Sequence, residues 1–133
     1  MQGQEIPGRT PKQILIVEDN ELNMKLLHDV LEAFGYIPIT TGRGAAALAL
    51  AREHRPDLIL MDLQLPDVSG LDVVRQLKQD PDTSAIPIVA VTAFAMVGDE
   101  RRALTGGCDG YVSKPIVIGD FLRVVETFIG SSS

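Results

Sequence analysis

Short runs of apolar residues alternate along the chain with longer stretches in which apolar residues recur every three or four positions. The short runs are typical of strands buried on both faces of a sheet, and the longer stretches are typical of amphipathic helices. Strands are predicted in this way at residues 13–17, 36–40, 58–61, 86–91 and 110–113. A helix is predicted after each strand, so the pattern predicts a doubly wound α/β fold with five helices on a parallel sheet.

Capping and breaking residues set the expected ends of the helices. The five helices are expected between Asn20 and Gly35, from about Ala45 to Glu53, from the capping-box spacing Ser69–Asp72 to the turn Asp80–Ser84, around Asp99 to Leu104, and from the region of Asp120 onward. The apolar residues of the first helix, from Leu22 to Phe34, are expected to face the sheet. The start of the last helix lacks a clear cap before Asp120.

The two ends of the chain show no periodicity. Residues 1–12 are predicted to form a flexible leader and residues 131–133 a tail, around one domain at residues 13–130. Because the chain ends after the fifth helix, we expect no output domain. No secretory signal and no apolar run near the ~20 residues of a membrane span are found, and Cys108 is the single cysteine. We therefore expect a cytoplasmic protein without membrane insertion.

The chain is acidic, with a formal charge of −6 at pH 7, and it has no cluster of lysine and arginine. A nucleic-acid-binding surface needs cations that replace the counterions of the phosphates. Direct binding to nucleic acid is therefore not expected, and a protein partner or a metal cation fits the charge better.

Polar residues follow four of the predicted strands at the point where each strand ends. Glu18 and Asp19 follow the first strand, Asp62 follows the third, Thr92 ends the fourth, and Lys114 follows the fifth. In a parallel sheet of this kind the carboxyl ends of the strands lie on one edge, which is where such folds bind ligands. We expect these five side chains to converge there.

Three carboxylates in close proximity repel one another unless a cation joins them, and hard oxygen ligands favour Mg²⁺. Glu18, Asp19 and Asp62 are therefore predicted to form a magnesium pocket. Phosphoryl transfer depends mainly on positioning and charge neutralisation, which the metal, the Lys114 ammonium and the Thr92 hydroxyl can supply. Asp62 is then the candidate nucleophile, and the product is an aspartyl phosphate.

Four short motifs carry a family resemblance. The strings Ile16–Asn20, Leu60–Pro66, Val91–Ala93 and Ser113–Ile116 resemble the signatures of the CheY-like receiver domain of two-component response regulators, and the match spans roughly residues 12–129. The longer strings Val17–Lys25 and Thr92–Met96, with Gly107–Cys108, resemble the DivK-type single-domain regulators of bacterial cell division and polarity. The resemblance implies a flavodoxin-like sheet with strand order 2-1-3-4-5.

The resemblance also implies roles for particular residues. Asp62 would accept phosphate from a histidine of a sensor kinase, and the backbone carbonyl of Gln64 would join the Mg²⁺ ligands. Thr92 and Tyr111 would form a switch pair, and the bond that precedes Pro115 would be cis. The expected partners are the dimerisation helices of a sensor histidine kinase and a downstream regulatory protein, with partner kinases recruiting the protein to the cell poles.

Two other classes of function remain open at this point. An aspartate-nucleophile phosphatase places a second acid two residues beyond the nucleophile, where this chain has Gln64, so rapid turnover is not expected. A flavodoxin-like cofactor carrier needs a phosphate-cradling loop after the first strand, where Glu18 and Asp19 would repel a phosphate. We therefore expect a phospho-accepting switch rather than an enzyme.

Overall fold

The computed structural model describes residues 11–93 and 98–130. Its strands are β1 Gln13–Val17, β2 Ile37–Thr41, β3 Leu58–Met61, β4 Ile88–Thr92 and β5 Gly110–Ser113. Its helices are α1 Glu21–Ala33, α2 Ala47–His54, α3 Gly70–Gln79, α4 Asp99–Thr105 and α5 Ile118–Ile129, and a 3-10 turn at Gly44–Ala46 precedes α2. The predicted tail and residues 1–10 of the predicted leader lie outside the described residues.

The five strands form one parallel sheet in the order β2-β1-β3-β4-β5. This order confirms the predicted fold class and strand order. The central strand β3 is buried along its whole length, as its continuous apolar run predicted. Among the described residues, no helix is long and apolar enough to cross a bilayer.

Alternate residues of the central strands face two separate apolar layers. Ile14 and Ile16 of β1 point to one side, where Leu27 and Leu31 of α1 pack together with Phe121 and Val125 of α5. The opposite side holds α2, α3, α4 and the buried Cys108, with apolar contributions that include Leu15, Val17, Ala51, Val74, Leu77 and Ala103. Because both faces are covered, a slip of one residue in any central strand would exchange the two layers.

Some predicted boundaries and orientations are wrong. β2 begins one residue later than expected, because the Ile37 amide donates to the Lys12 carbonyl (2.8 Å) and pairing with β1 continues to Thr41. Leu22 and Phe34 do not face the sheet: their exposed fractions are 80% and 56%. The buried residues of α1 are Leu27 and Leu31, whereas Leu22 on its first turn and Phe34 at its C-cap lie in solvent.

The capping of α3 and the first residue of α5 also differ from their predictions. α3 begins where expected, but the Ser69 side chain makes no capping hydrogen bond, and Asp72 pairs with Arg75 at 2.9 Å instead. α5 begins at Ile118, before the expected region of Asp120, with Val117 at its cap position. The chain therefore enters these helices without a side-chain hydrogen bond at the cap position.

Aspartates hold the amino-terminal edge of the sheet in register. The residue that precedes β3, Asp57, donates its amide to the Gln13 carbonyl (2.7 Å) and accepts the Gln13 amide through Oδ2 (2.8 Å). Asp109, before β5, makes the same pair of bonds with Ile88, at 2.6 and 2.8 Å. Each carboxylate satisfies the first donor of the neighbouring strand, so both strand pairs start at a fixed residue.

The start of α3 is packed against the end of β3, and this contact predicts a mutational effect. A Cβ at Gly70 would lie 2.5 Å from Leu63 Cα and 2.6 Å from the Asp62 carbonyl oxygen, and backbone atoms cannot easily move away. Gly70→Ala is expected to lower the free energy of unfolding in urea by about 1–3 kcal/mol.

The matched control is Gly119→Ala in α5, where an added Cβ meets nothing within 4 Å. This variant is expected to raise the free energy of unfolding by about 0.5 kcal/mol, because alanine restricts the unfolded chain. Equal stabilities for the two variants would show that the junction of β3 and α3 is not tightly packed.

Candidate functional site

The carboxyl ends of the strands bring together the polar residues that the sequence places there. Glu18 and Asp62 are 2% and 3% exposed, and Thr92 is fully buried at the end of β4. Asp19, by contrast, is exposed. Buried carboxylates without compensation are costly, so the surroundings of Glu18 and Asp62 show how the site is held together.

One ammonium group joins the two buried carboxylates. Lys114 Nζ lies 2.7 Å from Glu18 Oε1 and 3.2 Å from Asp62 Oδ2. The Lys114 amide donates to the Thr92 carbonyl at 2.9 Å, and the bond from Lys114 to Pro115 is cis. The base of the side chain is thus fixed to the end of β4, from where the ammonium reaches the ends of β1 and β3.

The acidic residues are arranged as a cation site. One oxygen from each of Glu18, Asp19 and Asp62 can be chosen so that all three lie within 4.8 Å of one another. Glu18 Oε2 accepts the Asn20 amide at 3.1 Å, whereas the buried Oε1 has the Lys114 ammonium, at 2.7 Å, as its polar contact among the described residues. An all-oxygen cluster with an unused buried lone pair fits a hard divalent cation such as Mg²⁺.

Burial and charge oppose each other in this cluster. Burial raises the pKa of the Glu18 carboxyl, and the nearby Asp62 charge also raises it, whereas Lys114 and the Asn20 amide lower it; the net shift is upward. For Lys114 burial lowers the pKa, but the hydrogen bond with Glu18 and the charge of Asp62 more than compensate, so the pKa is raised. The ammonium is therefore firmly held, while Glu18 carries an unfavourable buried charge.

The loop that follows β3 begins by folding back on Asp62. The Gln64 amide donates to Asp62 Oδ1 at 2.9 Å, so this carboxylate is held by a backbone donor on one oxygen and by Lys114 on the other. The carbonyl of Gln64 remains a predicted metal ligand.

The predicted switch residues lie on neighbouring strands. Thr92 pairs with Ser113 in the register of β4 and β5, and Tyr111 pairs with Ala90 one pleat below. Tyr111 is half-buried and packs against the apolar layer that holds α2, α3 and α4. Residues 94–97 of the connecting loop lie outside the described residues, so the switch role stays a prediction.

Sequence reasoning missed Asp67. Its two carboxylate oxygens accept the amides of Gly44 and Ala45, at 3.1 and 3.0 Å. These amides begin the 3-10 turn before α2, more than twenty residues earlier in the chain. A contact at this sequence separation has no local signal, because an aspartate after a proline reads as an ordinary turn residue.

The raised pKa of Glu18 predicts a pH dependence. The folded protein holds the Glu18 proton more tightly than the unfolded chain does, so this stabilisation is present below the ordinary carboxyl pKa of 4.5 and is lost as pH rises through the raised value. In EDTA, Glu18→Gln is therefore expected to gain stability relative to the original protein as pH increases above 4.5. Urea unfolding at several pH values measures this difference, and a relative loss of stability with rising pH would contradict the assignment.

Comparisons with known proteins agree with this geometry. The sequence model of the response regulator receiver domain matches residues 14–126. The chain is 57% identical over 122 residues to the polar-differentiation response regulator DivK of Brucella anthropi, a match that covers 92% of this chain and 99% of that protein. The corresponding protein of Brucella ovis is 56% identical over 121 residues, covering 91% and 98% of the two chains.

A solved structure shows the same fold. The receiver domain of a sensor histidine kinase from Pseudomonas aeruginosa, with a magnesium ion coordinated in its active-site cleft, superposes with a TM-score of 0.84 at 33% sequence identity. The match covers 92% of this chain and all of that domain. The resemblance predicted from four sequence motifs is confirmed, and this chain belongs to the response regulator receiver domain family.

Proposed function

We propose that Asp62 accepts a phosphoryl group from a phosphohistidine of a sensor kinase in a Mg²⁺-dependent reaction, and that the phosphorylated protein signals by binding another protein. The observation that carries this proposal is the contact of Lys114 Nζ with both Asp62 (3.2 Å) and Glu18 (2.7 Å) inside an acidic cluster. A nucleophilic carboxylate, a charge-neutralising ammonium and a cation site share one edge of the sheet.

In the proposed reaction an Asp62 oxygen forms a bond to phosphorus while the nitrogen–phosphorus bond of the donor breaks. The imidazole leaves with the electrons of that bond and, carrying a proton on its other nitrogen, departs as the neutral ring. The Lys114 ammonium is placed to neutralise one phosphoryl oxygen, and the Thr92 hydroxyl is assigned to another. The Gln64 amide, 2.9 Å from Asp62 Oδ1, orients the attacking carboxylate.

Glu18, Asp19, Asp62 and the Gln64 carbonyl are the proposed ligands of Mg²⁺. When bound, this ion neutralises charge on the acidic cluster and on a phosphoryl oxygen. The magnesium ion in the related Pseudomonas domain supports this assignment. Asp19 is the exposed member of the set, so we assign to it the side of the site that is open to the incoming ion.

The signal is proposed to pass through Thr92 and Tyr111. The Thr92 hydroxyl would move toward the phosphoryl group and the Tyr111 ring would follow inward, shifting an existing equilibrium of the surrounding segment. Tyr111 is half-buried, so an inward movement of its ring would remove more of it from solvent.

The partners are proposed from the surfaces beside the site. Leu22 is 80% exposed on the first turn of α1, the helix that follows Glu18 and Asp19 in the chain, which suits docking of a kinase's dimerisation helices. The surface formed by α4, β5 and α5 is proposed to bind the downstream regulatory protein. Because the Brucella relatives are named for polar differentiation, we extend a role in cell polarity or division to this chain, with cytoplasmic protein recruited to the poles by partner kinases.

The nucleophile is tested with acetyl phosphate and Mg²⁺. The original protein is expected to gain one phosphoryl group that hydroxylamine removes, as an acyl phosphate requires, and Asp62→Asn is expected to gain none. Asp57→Asn, at the amino end of the same strand, serves as the control and should be labelled normally. Persistent labelling of Asp62→Asn by intact-mass spectrometry would rule out the proposed function.

The role of Lys114 is tested by Lys114→Gln, which removes the ammonium while keeping a similar side-chain length. The rate of labelling at saturating Mg²⁺ is expected to fall about 10²- to 10³-fold, as for the loss of one preorganised charge-stabilising donor. Lys78→Gln is the matched control, because Lys78 also pairs with an aspartate, Asp109 at 2.8 Å, but at the opposite edge of the sheet. Equal rates for both variants would exclude Lys114 from the reaction.

A further inference from the structure

The loop after Asp62 is held in place by a carboxylate. Asp67 binds the Gly44 amide through Oδ1 (3.1 Å) and the Ala45 amide through Oδ2 (3.0 Å), so both oxygens are engaged by consecutive backbone donors. The hydrogen bond from Ala45 is the main reason that the pKa of the Asp67 carboxyl lies below its ordinary value, and Gly44 adds to the effect. The group therefore keeps its charge and its two bonds at neutral pH.

Close packing reinforces the same contact. A Cβ at Gly44 would lie 2.5 Å from Val68 Cγ2 and 2.8 Å from Leu65 Cδ1, so residues on either side of Asp67 rest directly on this glycine. At its far end the loop is fixed where Gly70 meets Leu63 and the Asp62 carbonyl. The segment that contains Gln64 is thus clamped between these two contacts.

The segment that Asp67 binds also contacts the loop that carries Glu18 and Asp19. The Thr41 carbonyl accepts the Glu18 amide at 3.0 Å. Gly42 lies against the same loop, since a Cβ there would sit 3.6 Å from the Glu18 carbonyl oxygen and 3.7 Å from Asp19 Cα. The segment Thr41–Ala45 therefore touches both loops that carry the proposed metal ligands, one on each side.

We propose that Asp67 is a positioning residue for the magnesium site: by fixing the Gln64 loop to the Thr41–Ala45 segment, it sets the distance between the two ligand-bearing loops. This inference rests on the proposed function. Asp67 is exposed and contacts no proposed ligand itself, so its effect is transmitted through the backbone. Groups that hydrogen-bond directly to metal ligands commonly change metal affinity by about 10- to 100-fold, so an effect of about tenfold, at the lower end, is expected for this contact one step further out.

Asp67→Asn leaves one acceptor oxygen and points an amide donor at the second backbone amide, which detaches the loop on one side. The Mg²⁺ dissociation constant from isothermal titration calorimetry is expected to rise about tenfold. The matched control is Asp72→Asn, which removes the same charge from an exposed residue bonded to Arg75 on its own helix. Measurement in about 1 M KCl, where the Debye length is about 3 Å, suppresses the long-range effect of the lost charge.

Gly44→Ala provides a second variant that leaves every charge unchanged. The added methyl group pushes Leu65 and Val68 outward, so the same loss of Mg²⁺ affinity is expected. In Asp67→Asn the Gln64 amide resonance of the metal-free protein should also shift, whereas in Asp72→Asn it should not. In labelling with acetyl phosphate, the Mg²⁺ concentration for half-maximal rate should rise while the rate at saturating Mg²⁺ stays near that of the original protein.

A Mg²⁺ dissociation constant within about twofold of Asp72→Asn in both Asp67→Asn and Gly44→Ala would overturn the proposal and leave Asp67 as a cap of the turn before α2. Different results would overturn the proposed function and the role of Asp67. If the original protein neither binds Mg²⁺ nor labels at Asp62, the proposed function is wrong. If it does both and the two variants match the control, only the role of Asp67 is wrong.

Discussion

The bridge from Lys114 to the buried carboxylates of Glu18 and Asp62 is the interaction on which the site depends. Two carboxylates that are almost fully removed from water would destabilise the fold without a partner, and one ammonium satisfies them only in part. With Asp19 included and all four groups ionised, three negative charges and one positive charge leave a formal charge of −2. The ammonium makes the buried carboxylates compatible with a folded protein, and the remaining negative charge suits a divalent cation.

The sheet makes this concentration of charge possible. Parallel pairing brings the ends of β1, β3 and β4 to one edge, while the two apolar layers fix which residue ends each strand. At the opposite edge Asp57 and Asp109 hold the first residues of β1 and β4 in register. Backbone donors thus compensate Asp57 and Asp109, which stabilise the fold, whereas the charges of Glu18, Asp19 and Asp62 at the carboxyl edge are compensated only in part.

Four aspartates are spaced five residues apart, and their roles differ in how far the sequence predicts them: Asp57, Asp62, Asp67 and Asp72. The position of Asp62 can be predicted because it directly follows a continuous apolar run, and the residue after such a run lies at the carboxyl edge of a central strand. Asp57, Asp67 and Asp72 lack such a signal. Asp57 and Asp67 bind backbone amides that are distant in sequence, and Asp72 pairs along its helix instead of completing the predicted capping box.

The fold class and strand order followed from periodicity and from the family resemblance, and the comparisons confirmed both.

The most direct test of the central claim is to locate the phosphoryl group by borohydride reduction, which converts a phosphorylated aspartate to homoserine. Tryptic peptide 53–75 carries all four aspartates, so fragmentation distinguishes them. Homoserine is expected at position 62 alone. Homoserine at any of the other three positions, or modification of the peptide with Glu18 and Asp19, would contradict it.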